Sequence, residues 1–538
     1  MKQIHLVLIF IVTLLSQTYT QMDSLRGSIT PERAWWDLTY YHLKMDVNIS
    51  EKFLSGTNLV RYKVLKEHQL LQIDLQQPMK LTKVVQNGVS LQFKKVGYAH
   101  FIYLKQKQVK DKINELTLYF EGHPKESPNP PWSGGITWNT DKNGKPFVAS
   151  SCQGDGASLW WPNKDHMYDE VDSMRMSISV PEDLINVSNG RLEHVEHDKA
   201  RKIKTFHWVV KNPINNYGVN INIGDYVHFG EVFSGEKGNL DCDYWVLSYN
   251  LEKAKVQFKD AKRTLQAFEH WFGPYPFYED SYKLVEAPYL GMEHQSSVTY
   301  GNNYLNGYKG KDLSNTGWGL TFDFIIVHET GHEWFANNIT YKDIADMWIH
   351  ESFTAYSENL FIEFFNGKQA GAEYVIGTRS KIRNTGTLIG DYHVNKTGTD
   401  LYYKGANMLH TLRQIVNDDK KWRHLLRSLN KVFYHKTVTT QEFETYISQF
   451  LSLDLSSFFN QYLRDKRIPI LEYRKNKTNY EYRWSNVIQT FSMPIKVALD
   501  GKEMWLNPTT KWKTINKRIS TLKVDKNFYI VPFNILGN

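Results

Sequence analysis

Val327-His328-Glu329-Thr330-Gly331-His332-Glu333-Trp334-Phe335-Ala336 is the stretch around which this chain is organised. His328 and His332 stand four residues apart, which on a helix stacks both imidazoles on one face, a turn apart, where they can hold one metal ion. Glu329, beside the first of them, points to the side where a metal-activated water would sit. A second stretch follows, Trp348-Ile349-His350-Glu351-Ser352-Phe353-Thr354, with residues 333–350 separating His332 from Glu351. Asn337-Asn338 and Asp343 allow a turn between the two, so Glu351, on a second helix, is the candidate third ligand. His, His and Glu with an open fourth position is the ligand set of a catalytic zinc site rather than of a closed structural one, and it predicts one Zn2+ per chain. A bare HExxH also arises on ordinary charged helices; the correctly spaced Glu351 weighs against that here.

At 538 residues the chain is too long for a single core, and three or four domains are expected. Apolar residues at 41% and aromatics at 14% are ample for burial. The formal charge of +8 comes from 65 basic and 57 acidic residues interspersed along the chain, with no long Lys/Arg block, which argues for a solvated surface and against a nucleic-acid partner. Lys2 followed by the apolar run Leu6 to Leu15 reads as a secretory signal over residues 1–20, too short to span a bilayer, and no later stretch is apolar enough for a stable membrane span. Export to a periplasm or the exterior is the expectation. Cys152 and Cys242, the two cysteines of the chain, cannot build an all-cysteine metal site, and their pairing is not readable.

Outward from the metal stretch the patterning changes twice. Leu43, Met45, Val47 and Ile49 alternate with polar residues, as do Leu71, Ile73 and Leu75, and Asn87-Gly88 between Val84-Val85 and Val89-Leu91 is a hairpin signal. Glu121 to Pro146, rich in Pro, Gly, Ser and Asn, reads as a long loop of functional kind. Near residue 249 the period becomes helical: Phe258, Ala261, Leu265, Phe268 and Phe272 form a stripe ended by Gly273-Pro274. Tyr282 to Val285 looks like a strand, and Lys404 to Asp465 is predicted helical, with Thr439 and Glu442 spaced as a capping box. After Pro469 short strand signals return. The fold class expected is multidomain α+β: an N-terminal β-rich domain over 21–248, a mainly helical catalytic domain over 249–465 and a small β-sandwich over 466–538.

Zinc held by three protein ligands polarises a carbonyl and brings the pKa of water toward about 7. Glu329 is then placed to take the proton and pass it to a leaving amine. That describes hydrolysis of an amide, without saying where along a peptide the cut falls.

His328-Glu329-Thr330-Gly331-His332, the eighteen-residue gap to Glu351, and the preceding Gly291-Met292-Glu293-His294 together resemble the M1 family of zinc aminopeptidases. The likeness covers nearly the whole chain after residue 20 and implies a thermolysin-like (gluzincin) catalytic domain and peptide substrates with a free N-terminus. It implies further that Glu293, within a loop where Gly291 and Met292 also meet substrate, offers its carboxylate to the α-ammonium. Gln153, nine residues before Pro162, is the second implied amine contact, although a satisfied loop glutamine fits the same position. Tyr402, opening Tyr402-Tyr403-Lys404-Gly405, is implied as the catalytic donor to the oxyanion, beside Glu329 as base. Two departures stand out: His294 replaces the family's Asn, either as a substrate contact or as a structural histidine, and a large C-terminal helical domain is expected to be lacking. The rival readings are a thermolysin-type zinc endopeptidase and a non-catalytic zinc- or peptide-binding protein.

Overall fold

The computed structural model describes residues 24–476, 479–515 and 519–535; the apolar segment over residues 1–20 lies outside the described residues. The strand Trp36–Asn48 carries the expected alternation, with Leu43, Met45 and Val47 buried and Lys44, Asp46 and Asn48 exposed. It lies inside a ten-stranded sheet, between Phe53–Val64, which it pairs antiparallel, and Ser173–Pro181, which it pairs parallel. Asn87 and Gly88 turn the chain with φ of 51° and 77°, bringing Gln86 opposite Val89. That left-handed pair matches the twist of the flanking strands, as the Asn-Gly signal predicts. Around Leu71 and Ile73 the polar neighbours Gln72 and Asp74 are buried as well, because the segment following residue 24 folds over that face.

Two expectations are corrected. The proposed loop from 121 to 146 contains a strand, Gly135–Thr140, paired with Pro146–Ser151. Its Gly and Pro density belongs to the turns on either side and hid the short hairpin. The expected division near residue 248 also runs through a sheet. Tyr226–Gly235 and Gly238–Leu247 form a hairpin whose second strand pairs parallel with Tyr282–Glu286, so both belong to a five-stranded sheet with the strands that lead to the helices. Strand pairing, which is non-local, sets that membership, and a switch in local periodicity does not reveal it.

The predicted helical stripe lies on α1 (Lys259–Phe272), which ends at Gly273 with φ 97° and buries Ala261, Leu265, Phe268 and Phe272. α2 (Phe324–Gly331) and α3 (Trp348–Asn366) carry the two metal stretches, and α4 (Tyr403–Val416) packs on α3. Thr439 and Glu442 form the reciprocal capping box at the start of Thr440–Leu451. The last described residues form two small sheets whose buried Leu471, Trp484, Ile495 and Val497 join the same core as these helices.

A second core fills the ten-stranded sheet, and the stretch from Val285 to Tyr300 contributes to both: Ala287, Tyr289 and Met292 to one, Leu290 and Val298 to the other. A cleft opens along that seam. On its wall from the β side, the segment around Gln153 accepts from Arg26 at the Gly154 carbonyl, at 2.7 Å, and the Arg26 backbone is held in turn by Arg33, which is fully buried. The Arg33 guanidinium donates to Asp74 at 2.6 Å and to the carbonyls of Leu25, Arg26 and Ser28, while Asp74 accepts from the Asp165 backbone N–H at 3.1 Å. Arg33→Ala strands the buried Asp74 carboxylate, and breaking such a pair costs about 3–5 kcal/mol. The expected result is a lowered thermal unfolding midpoint, whereas an unchanged midpoint would show that this pair does not tie down the segment.

Candidate active site

α2 begins where Asp323, itself fully buried, accepts hydrogen bonds from the backbone N–H groups of Ile325 and Ile326 at 3.1 and 3.3 Å. These bonds satisfy two of the donors that every helix start leaves open. After Gly331 the helix does not continue regularly: Asn337 N–H bonds the His332 carbonyl at 3.0 Å, and Phe335 leaves helical geometry. The Phe335 carbonyl is thereby free to meet His332 Nδ1 at 3.0 Å, alongside Thr354 Oγ1 at 3.0 Å. His328 Nδ1 meets Glu358 Oε1 at 2.8 Å, and Glu358 in turn accepts from the Tyr374 hydroxyl at 2.7 Å. Each imidazole is thus held at Nδ1, which turns Nε2 of both toward Glu351.

Glu351 Oε2 lies 3.9 Å from His328 Nε2 and 3.6 Å from His332 Nε2, and it is buried with no hydrogen-bond partner. Zinc bonds of about 2.0–2.2 Å at tetrahedral angles put ligand atoms about 3.4 Å apart, so a small closure would seat a cation among the three. Burial holds the His328 imidazole down at about 4, so it is neutral, the form that ligates a metal. Around the ligands stand further buried carboxylates. Burial first, then the charges of Glu293, Glu351 and Glu358, push Glu329 well above the usual carboxylate range. Glu358 is pushed up to about 8 by its burial. Among the described residues, no lysine or arginine pairs with Glu293, Glu329, Glu351 or Glu358. The residues of this donor set fit a dication.

The sequence-predicted residues converge. Gln153 donates through its amide to Glu293 Oε1 at 2.5 Å and to Glu351 Oε1 at 3.1 Å. Carboxylate oxygens of Glu293 and Glu329 and a ring nitrogen of His332 lie within 4.8 Å of one another. Tyr402, 40% exposed on the cleft wall, sets its ring 5.9 Å from that of His328. Desolvation and then the charges of Glu351, Glu293 and Glu329 hold its hydroxyl well above the ordinary phenol value, so at neutral pH it is a donor. Tyr403 instead neighbours Glu358 and Tyr308, which separates the roles of the two adjacent tyrosines. Gly291 and Met292 line the same cavity of about 350 Å3, with Leu290, Tyr308, Phe324 and Ile325.

His294 does not line that cavity. It is fully buried beside Thr299, with its imidazole held down at about 3 by burial, an environment that fits the structural alternative. Cys152 and Cys242 are both free and buried. Sequence reasoning missed Tyr217, whose hydroxyl donates to Glu293 at 3.2 Å, the supports Glu358 and Thr354, and Trp132 at the cleft mouth. Glu358 was within reach, since it falls seven residues after Glu351 and therefore on the same helix face. Two glycines are fixed by close approach. A Cβ at Gly331 would meet Ser357 Oγ at 2.6 Å, and one at Gly405 would meet Ser352 Oγ at 1.7 Å, so α2 and α4 can each lie against α3 as closely as they do.

Fold and site together bring two histidines and a carboxylate within reach of one cation, with a second carboxylate beside them and an acidic end to the cleft. Residues 256–462 match the family model described as "Peptidase family M1 domain". It is 20% identical over 389 residues to the probable aminopeptidase 2 of Sulfurisphaera tokodaii, an alignment covering 68% of this chain and 48% of that protein. To the leukotriene A-4 hydrolase of Xenopus laevis it is 22% identical over 453 residues, covering 78% of this chain and 68% of that one. The chain thus spans about half the length of the first of these relatives. A crystal structure of an M1 zinc metallopeptidase from Deinococcus radiodurans superposes with a TM-score of 0.69 at 19% identity, over 81% of this chain and 95% of that one, and shares its fold.

Removing a partner that orients a metal-ligating histidine typically weakens metal affinity about 10–100-fold. Glu358→Ala should therefore release zinc to a competing chelator about 10–100-fold more readily than wild type. Equal affinity in the two proteins would show that Glu358 does not hold His328 for a metal. Gly405→Ala should displace the start of α4 and with it Tyr402, lowering kcat while metal content stays unchanged.

Proposed function

We propose that the protein is an exported zinc aminopeptidase, holding one Zn2+ through His328, His332 and Glu351 and releasing the N-terminal residue of peptides. The observation that carries this reading is the Glu293 carboxylate, one glutamine side chain away from Glu351 and within 4.8 Å of a His332 ring nitrogen. One extended residue spans about 3.3–3.6 Å. An α-ammonium paired with Glu293 therefore leaves the first peptide bond, and no later one, beside the metal ligands.

The bound zinc would supply Lewis acidity toward the scissile carbonyl and toward water. Glu293, with Gln153 and Tyr217 fixing its orientation, pairs with the ammonium, and its near-complete burial makes a substrate without that charge costly to admit. Glu329, whose proton affinity is raised by burial and by neighbouring carboxylates, accepts a proton and returns it to the departing amine. The Tyr402 hydroxyl donates to the oxygen that gains negative charge. Met292, Tyr308, Phe324 and Ile325 give the cavity an apolar lining, which supports a preference for apolar N-terminal side chains. The thermolysin-like reading of the helical part is supported by the α2–α3 arrangement, and the β-sandwich reading of the last residues by two small sheets sharing one core. The export reading rests on the apolar segment over 1–20 and is tested by sequencing the N-terminus of the protein as secreted by its own cell type.

The central test compares a free-amine aminoacyl amide with its N-acetylated form, with and without a chelator. Turnover of the free amine alone, abolished by the chelator, is expected. Glu293→Ala should lower kcat/KM for the free amine at least about tenfold, the loss of a charged hydrogen bond of about 1.5–3 kcal/mol. Glu329→Gln should cost about 10²–10⁴ in kcat with zinc still bound. Cleavage of the acetylated substrate would replace this reading with the endopeptidase one. Silence on both substrates with zinc present would leave a binding protein.

A further inference from the structure

The edge of the ten-stranded sheet carries a second cluster of metal-ligating side chains, remote in sequence from His328 and His332. The edge strand Arg191–Asp198 pairs antiparallel with Ile203–Val210, which sets His194 directly opposite His207 and leaves Glu196 two residues on from His194, on the same face. One carboxylate oxygen of Glu196 lies 3.5 Å from His194 Nε2 and 3.5 Å from His207 Nε2. Those separations come within about 0.1 Å of the roughly 3.4 Å spacing that tetrahedral ligands at about 2.1 Å impose.

His207 is the anchored member. Its side chain is 12% exposed, and Nδ1 meets Ser177 Oγ at 2.9 Å, which is in turn 3.0 Å from His42 Nε2. When His207 Nδ1–H donates to Ser177 and the Ser177 hydroxyl donates to His42, Nε2 of His207 carries a lone pair. That atom is buried and has no hydrogen-bond partner. An imidazole fixed at one nitrogen by a neighbour and left open at the other is how protein metal ligands are supported. Burial, followed by the neighbouring His194, also keeps the His207 imidazole below its ordinary pKa and hence neutral. His194 is half exposed and stacks on His207 with ring centroids 4.1 Å apart, so it can swing out of the stack to share an ion. Glu193 adds a second carboxylate 3.5 Å from His194 Nδ1 and at the same time pairs with Arg175.

We propose that His194, Glu196 and His207 form a solvent-accessible site for a divalent transition-metal cation, zinc being the natural occupant of a two-histidine, one-carboxylate set, independent of the catalytic centre. The ion would tie the edge strand of the sheet to its neighbour across the hairpin between Asp198 and Ile203. An edge strand has one ladder of backbone hydrogen bonds where an interior strand has two, so a side-chain tie has the most to add there.

The test is zinc stoichiometry by equilibrium dialysis at micromolar free Zn2+, on wild type and on His194→Ala, with His207→Ala as a second variant. Wild type is expected to hold one more Zn2+ per chain than either variant. Added Zn2+ should raise the melting temperature of wild type by several degrees more than that of His194→Ala. Because His194 is exposed, its variant should match the wild-type melting temperature without metal. Glu196→Gln should weaken the extra site at least about tenfold. Equal stoichiometry in wild type and His194→Ala would overturn the proposal whatever the catalytic site does, since only the difference between the two proteins is read.

Discussion

Four carboxylates, Glu293, Glu329, Glu351 and Glu358, are each less than a tenth exposed around two imidazoles, without a lysine or arginine paired to any of them among the described residues. Taking an unpaired ion out of water costs several kcal/mol even after relaxation, so such a cluster persists either protonated or around a cation. The upward shifts of Glu329, Glu351 and Glu358 express that strain directly. Much of the surrounding architecture restrains these charges. Nδ1 of each histidine is fixed, Glu351 Oε2 is left bare, and two glycines let three helices approach closely enough to bring the donors together.

The second constraint is that no single unit holds the whole site. The helices supply His328, His332, Glu329 and Glu351, while Gln153 and Tyr217 come from the β side, and Glu293 sits on the stretch that enters both cores. In the proposed function, a carboxylate that pairs with a substrate ammonium must face a cleft and yet be rigid. Lying at the seam, with hydrogen bonds arriving from the opposite wall, satisfies both demands. The price of this arrangement is that the wall itself must be held, which is the task of Arg33, Asp74 and the Asp165 amide far from any reacting atom.

What could be read from the sequence follows the range of the interaction concerned. The i,i+4 histidines, the capping box at Thr439 and the Asn87-Gly88 turn are local, and the structure keeps them where the pattern put them. Gln153 is implied by the family resemblance, through its distance from Pro162, and its contact with Glu293 spans 140 positions, out of reach of any local rule. The same limit explains both corrections. The strand Gly135–Thr140, paired with Pro146–Ser151 at the end of the expected loop, is masked by its turn-rich flanks, and the sheet membership of Tyr226–Leu247 depends on pairing with Tyr282–Glu286. Tyr217 carries no motif at all; its hydroxyl matters only because folding brings it to Glu293.

The helical and the edge-strand clusters make the point in one molecule. His328 and His332 are neighbours because a helix repeats every 3.6 residues, so their spacing in sequence predicts their proximity. His194 and His207 are neighbours because two strands pair in one particular register, with a bulge between Leu192 and His194 that shifts it. Slipping that register by one residue would send His194 to the opposite face of the sheet. A helical site is therefore written in the order of residues, while a cross-strand site is written in the pairing. The burial differs accordingly: the helical ligands are enclosed by two cores, whereas the strand ligands lie on an open face with only His207 anchored. Enclosure suits an ion that must confront substrate in a dry cleft, and an open, half-anchored set suits one that exchanges with solvent and serves the sheet.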